Sequence, residues 1–138
     1  MLRKILAAYD SSDASEDAFR FALDLAQKYA AELIVLSVAR PPEPAESVET
    51  EAVLEKATEF YQKHFAQLKE LSAKAGVAVR FEVRVGHPAE AIIHMAHEES
   101  ADLIVMGHRG KSFIKRWLLG SISKRVVSYA HCAVTIVR

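Results

Sequence analysis

The sequence predicts an α/β fold: a three-layer sandwich in which a five-stranded parallel sheet of order 3-2-1-4-5 carries helices on both faces. Three observations lead there. Five short apolar runs alternate with segments of helical periodicity along the 138 residues, the pattern of strand–helix–strand repeats with right-handed crossovers. Four of those runs are nearly continuous hydrophobics, as strands must be when both faces of their sheet are covered. The length suits one domain over residues 1–138, able to bury about two-thirds of its unfolded surface.

The first strand falls at residues 5–9 and is followed by SSDASEDAFRFALDLAQKYA, a helix opened by Ser12 or Asp13. Glu16 stands three residues after Asp13, as a capping box requires, and Ala18, Ala22, Leu25 and Tyr29 form the expected buried stripe. The second strand, residues 33–38, leads through RPPEPAES into a long helix from about Ser47 to Ala75. Val53, Ala57, Phe60, Leu68 and Leu71 recur on one face of that helix, and Gly76 stops it. The third strand, VAVRFEVRV at 77–85, alternates apolar and charged residues, so it belongs at an edge with one face toward water. Pro88 opens a helix running to about Glu99, the fourth strand covers 103–106, a helix spans 121–129, and the last strand is 133–137.

Composition removes several function classes. Eighteen basic and eighteen acidic residues cancel, so nothing draws the whole chain to nucleic acid or an anionic membrane. The single cysteine, Cys132, excludes an internal disulfide framework and suits a reducing compartment. The apolar start is too short for a signal peptide and no run is long enough for a membrane helix, so a cytoplasmic protein is expected.

The stretch VMGHRGKSFIKRWLLGSIS contains Gly110-Lys111-Ser112, which resembles the end of a P-loop. That loop needs a glycine five positions before Gly110, where this chain has Val105. The spacing that remains is Gly107, two residues, Gly110, nine residues, then Gly120-Ser121. Parallel sheets bind ligands beyond the carboxyl ends of their strands, where the strand order reverses. In the order 3-2-1-4-5 the reversal lies between strands one and four, whose ends are Tyr9-Asp10 and Met106-Gly107. The glycines would then let backbone approach a bulky ligand and permit positive φ, and Gly120-Ser121 would open a helix whose free N–H groups favour an anion. Ser121 and Ser123 add hydroxyl donors, Arg109, Lys111 and Lys115 supply counter-charges, and Asp10 could accept hydrogen bonds from ribose hydroxyls. The plainer reading is a glycine-punctuated loop and a helix cap.

With KILAAYDSS, LIVLSV, VRVGHPAEAI, DLIVMGHRG and GSISKRVVSYAHCAVTIVR in this order, the chain resembles the universal stress protein family in its nucleotide-binding branch. The resemblance implies a flavodoxin-like fold, a homodimer pairing the last strand, Ala133 to Val137, with its twin, and bound ATP, ADP or AMP. It further implies that Asp10 meets the ribose or adenine, that the Val38 backbone faces the adenine, and that Met106 belongs to the nucleotide-binding set. Gly107, Gly110, Gly120, Ser121, Ile122 and Ser123 would surround the phosphates, with magnesium or manganese held through them. The family commonly has a small hydroxyl residue at His108, here read as a solvent-facing loop histidine, and proline at Ala133, where the restored N–H bears on dimer register.

Other candidates take structural readings. His94 and His97 lie three apart on a helix without an HExxH pattern, so they are read as exposed rather than as a zinc site. Cys132 is read as a small core residue, Trp117 as packed against the sheet or a partner, and the Arg40–Ser47 segment as a connector or lid. The function expected is a cytoplasmic stress-response binding or signalling module with no assigned catalytic residue and no protein-held metal. Slow ATP hydrolysis and a dimeric interaction protein with an empty pocket are the alternatives.

Overall fold

A computed structural model describes residues 1–41, 47–108 and 120–138. Its strands are β1 (Lys4–Ala8), β2 (Glu32–Ala39), β3 (Val79–Val85), β4 (Leu103–Gly107) and β5 (Ala133–Val137). Its helices are α1 (Asp13–Tyr29), α2 (Ser47–Ala75), α3 (Pro88–Glu98) and α4 (Ser121–Tyr129). All strand pairs are parallel, in the order β3-β2-β1-β4-β5, as the sequence predicts.

The continuous apolar runs serve two cores. On one face Ile5, Ala7, Leu33, Val35 and Val105 pack beneath α1 and α2, against Phe19, Phe65 and Leu68. On the other, Leu6, Ile34, Leu36, Ile104 and Met106 pack against Ile92, Met95 and Val126 of α3 and α4. Successive residues of a central strand thus enter opposite cores, which is why alternation is absent. Burial of each such side chain stabilises by roughly 1.5–3 kcal/mol.

β3 lies at the edge, but its charged residues are paired rather than merely wet. Arg80 meets Glu99 at 2.7 Å and Arg84 meets Glu98 at 2.9 Å. Gly76 ends α2 in the left-handed region, φ 69°, with Val77 N–H donating to Ser72 C=O at 3.1 Å. Pro88 occupies the first turn of α3.

Three local expectations need correction. Ser12, not Asp13, caps α1, and Ser15 rather than Glu16 answers it. In α1, Ala18 and Ala22 are buried as expected, joined by Phe19, Leu23 and Ala26, but Tyr29 is 58% exposed. In α2 the core takes Phe65, Leu68 and Ser72; Leu68 is buried as expected and Leu71 packs beside it, but Phe60 is 46% exposed. Both helices turn small residues or a different aromatic to the sheet because the closeness of approach decides which face fits.

Candidate functional site

A cleft of about 660 Å³ opens beyond the carboxyl ends of β1, β2 and β4, at the point where the strand order reverses. Asp10, Val38, Met106, Gly107, Gly120, Ser121, Ile122 and Ser123 all line it. Arg109 and Gly110, together with Lys111, Lys115, Trp117 and most of the proline cluster, lie outside the described residues.

The β1–α1 corner is a knot of hydrogen bonds. Ser12 N–H donates to Asp10 Oδ1 at 2.9 Å, and the Ser12 hydroxyl donates to the same oxygen. Ser12 Oγ in turn accepts from Ser15 N–H at 3.2 Å. The Ser15 hydroxyl donates to Ser12 C=O at 2.9 Å and accepts from Asp10 N–H at 3.2 Å. Between them Ser11 holds φ 71°, a conformation costly for a side-chain-bearing residue. The knot fixes the Asp10 carboxylate through one oxygen and leaves the other for a ligand.

Gly107 answers a different constraint from the one expected. It has no positive φ; instead, a Cβ there would lie 2.8 Å from the backbone carbonyl of Ala14. Glycine is required because α1 crosses β4 at that point. Gly120 likewise needs no special φ, being extended at φ −65°, ψ 161° as the N-cap of α4. The space beside it is open, with His108 C=O the nearest atom at 3.9 Å.

Among the described residues no side chain caps α4, and its first turn holds no acidic residue. Lys124 N–H closes the first helical bond on Gly120 C=O at 3.0 Å. The preceding N–H groups of Ser121, Ile122 and Ser123 therefore have no acceptor within the helix, and the helix dipole adds partial positive charge there. Ser121 is exposed, whereas Ser123 is buried with its hydroxyl toward Gly107 C=O at 3.5 Å, so Ser123 is no free hydroxyl donor.

Sequence reasoning missed several lining residues. Ser12 and Ser15 carry a readable signal, two hydroxyls three apart after a strand-end aspartate. Tyr61 and Arg40 carry none, since no local pattern says which residue of a long helix leans over the sheet end. Tyr9 lines the floor, and burial, with Glu16, Tyr61 and Asp10 adding to it, pushes its phenol up to about 12. His108 is not a solvent-facing histidine: both ring nitrogens are buried and find no partner among the described residues.

Elsewhere, His94 lies 3.6 Å from Glu98 and His97 packs edge-on to His131, with ring centroids 5.3 Å apart. Among the described residues no three His, Cys, Asp or Glu side chains are grouped to hold a metal. Burial raises the Cys132 thiol pKa, so it stays protonated and inert. No helix of the described residues is long and apolar enough to cross a membrane.

The universal stress protein family model matches residues 1–138. A universal stress protein of Thermus aquaticus is 39% identical over 140 residues, covering 100% of both chains. Another, from Methanocaldococcus jannaschii, is 34% identical, covering 100% of this chain and 83% of the relative. Among solved structures, UspA of Lactobacillus plantarum superposes with a TM-score of 0.88 at 28% identity, over 99% of this chain and 97% of its own. A universal stress protein in complex with cAMP gives a TM-score of 0.76 at 26% identity, over 99% and 97%.

Proposed function

The chain belongs to the universal stress protein family, and on that premise we infer that it is an adenine-nucleotide-binding stress protein. It takes ATP, ADP or AMP as a single domain over residues 1–138 and works in the cytoplasm as a binding or signalling module. Its second copy pairs through β5, which is an edge strand.

One observation carries the reading: a single cleft combines a fixed carboxylate, an apolar floor and an uncapped helix N-terminus. A nucleotide offers the matching parts in the matching order: hydroxyls for the free oxygen of Asp10, a base for Val38 and Met106, and phosphates for the first turn of α4. The structural relative holding cAMP supports an adenine nucleotide for this chain as well. No carboxylate cluster is present among the described residues, so a magnesium or manganese ion would be carried on the phosphates themselves. Asp10 spends one oxygen on Ser12, which suits it to orienting a sugar rather than to activating water.

The test begins with freshly purified protein. Denaturation releases whatever is bound, and chromatography identifies it; the nucleotide-free protein is then titrated with ATP and magnesium while phosphate release is followed. Adenine nucleotide in the supernatant, or saturable binding with little turnover, is the expected outcome. Neither a released nucleotide nor saturable binding would end this reading, and fast turnover would replace the module with an enzyme.

A further inference from the structure

The cleft runs across β1, with β2 and α2 to one side and β4 and α4 to the other. The uncapped first turn of α4 makes the second side anionophilic. On the first side, a single residue of α2 reaches the cleft among the described residues, and it is Tyr61.

Its ring is clamped rather than loose. Tyr61 stacks on Phe65 with centroids 5.9 Å apart and planes at 22°. Phe60 meets it at 5.1 Å and 88°, and Tyr9 at 6.3 Å and 67°. Phe65 is buried in the core and packs on Phe81 at 4.8 Å, and Tyr61 packs against the same core while also lining the cleft. It remains half-buried, with part of its surface given to the cleft that Val38 and Arg40 also line. Its phenol titrates above the ordinary tyrosine value because of burial first and the charge of Asp10 second.

We propose that Tyr61 is a specificity-determining residue of the cleft, forming the aromatic wall against which the planar base of the bound nucleotide packs. The inference rests on the nucleotide reading above and deepens it. The α4 end binds phosphate oxygens of any origin, whereas the Tyr61 end distinguishes a nucleotide from a bare polyphosphate. A ring immobilised in advance pays little further entropy when a base settles on it.

The experiment compares the parent protein with Tyr61→Ala and Tyr61→Phe by calorimetric titration. The ligands are ADP and inorganic tripolyphosphate, the second lacking a base. Tyr61→Ala should weaken ADP by on the order of tenfold, the usual scale of base–aromatic packing. Tyr61→Phe keeps the ring and should stay within about twofold of the parent. Tripolyphosphate should bind all three proteins alike. If Tyr61→Ala binds ADP as the parent does, the proposal falls while the nucleotide reading stands. Equal weakening of ADP and tripolyphosphate, or a loss in Tyr61→Phe matching that in Tyr61→Ala, also overturns it, the first by showing general damage and the second by assigning the effect to the hydroxyl. A parent that binds no ADP overturns both readings together.

Discussion

The two ends of the sheet are built on opposite terms. At the amino end polar groups are matched to one another. Asp102 accepts the N–H groups of Arg3 at 2.8 Å and Lys4 at 3.0 Å, and its own N–H donates to Lys4 C=O at 2.8 Å. Lys4 lies 3.6 Å from both Glu32 and Glu99, and Arg80 meets Glu99. At the carboxyl end the His108 nitrogens have no described partner and no described side chain caps α4; left-handed residues stand at both ends, Ser11 here and Ala30 and Ser100 ahead of β2 and β4. Unsatisfied groups cost stability, and these lie at the cleft end of the sheet, while backbone strain is shared by both ends. The amino end holds the sheet's register; the carboxyl end is kept incomplete.

The sharpest way to break that division is Gly107→Ala. Its Cβ would meet Ala14 backbone at 2.8 Å, and backbone cannot swing aside as a side-chain tip can. The expected loss is about 1–3 kcal/mol, the scale of overpacking a filled site. Gly86→Ala is the control, because its Cβ would meet nothing within 4 Å and its φ is not positive. Thermal or denaturant unfolding of the two variants should separate them clearly. Equal stability would mean that α1 does not crowd β4 and that Gly107 is glycine for the ligand after all.

Much of this was legible in the sequence, and the exceptions share one cause. Uninterrupted apolar runs, Gly76 and Pro88 report local backbone demands, so the strands, helices and stops could be read from them. Asp10 and the residues from Gly120 to Ser123 could be placed together because strand order alone brings strand ends to one crevice. What could not be read is how closely elements pack. The glycine at 107 reads in the sequence as ligand clearance, and the structure adds that α1 leaves no room for a Cβ there. The Ser12 cap was within reach of the sequence, but the contribution of Tyr61 depends on the rotation of a 29-residue helix over its sheet.

The amino end is sharpened by acid. The carboxyl of Asp102 titrates below its ordinary value of 3.8, first because it accepts the Arg3 N–H and next the Lys4 N–H. A carboxylate lowered on folding contributes stability that is present above its unfolded value and lost as pH falls through the folded one. Asp102→Asn should therefore lower the melting temperature near neutral pH and approach the parent's as pH falls below 3.8. Glu98 and Glu99, lowered by Arg84 and Arg80, keep a share of acid sensitivity in the variant. A difference that persists undiminished in acid would assign the effect of Asp102 to packing rather than to charge.

The smallest change in stability should come from making the carboxyl end resemble a finished helix start. In Gly120→Asp the backbone is already extended as an N-cap requires, and the added Cβ has only His108 C=O near it, at 3.9 Å. A capping carboxylate would accept the free N–H groups of α4, for a gain of a few tenths of a kcal/mol over glycine. The same carboxylate would occupy the donors that a phosphate needs and repel it, so ADP affinity should fall by at least about tenfold, roughly 1.4 kcal/mol. Stability and binding then move in opposite directions in one variant, which general damage to the fold cannot produce. Retained affinity would mean that the phosphates do not sit on the first turn of α4, and the open cap would be only an unfinished helix end.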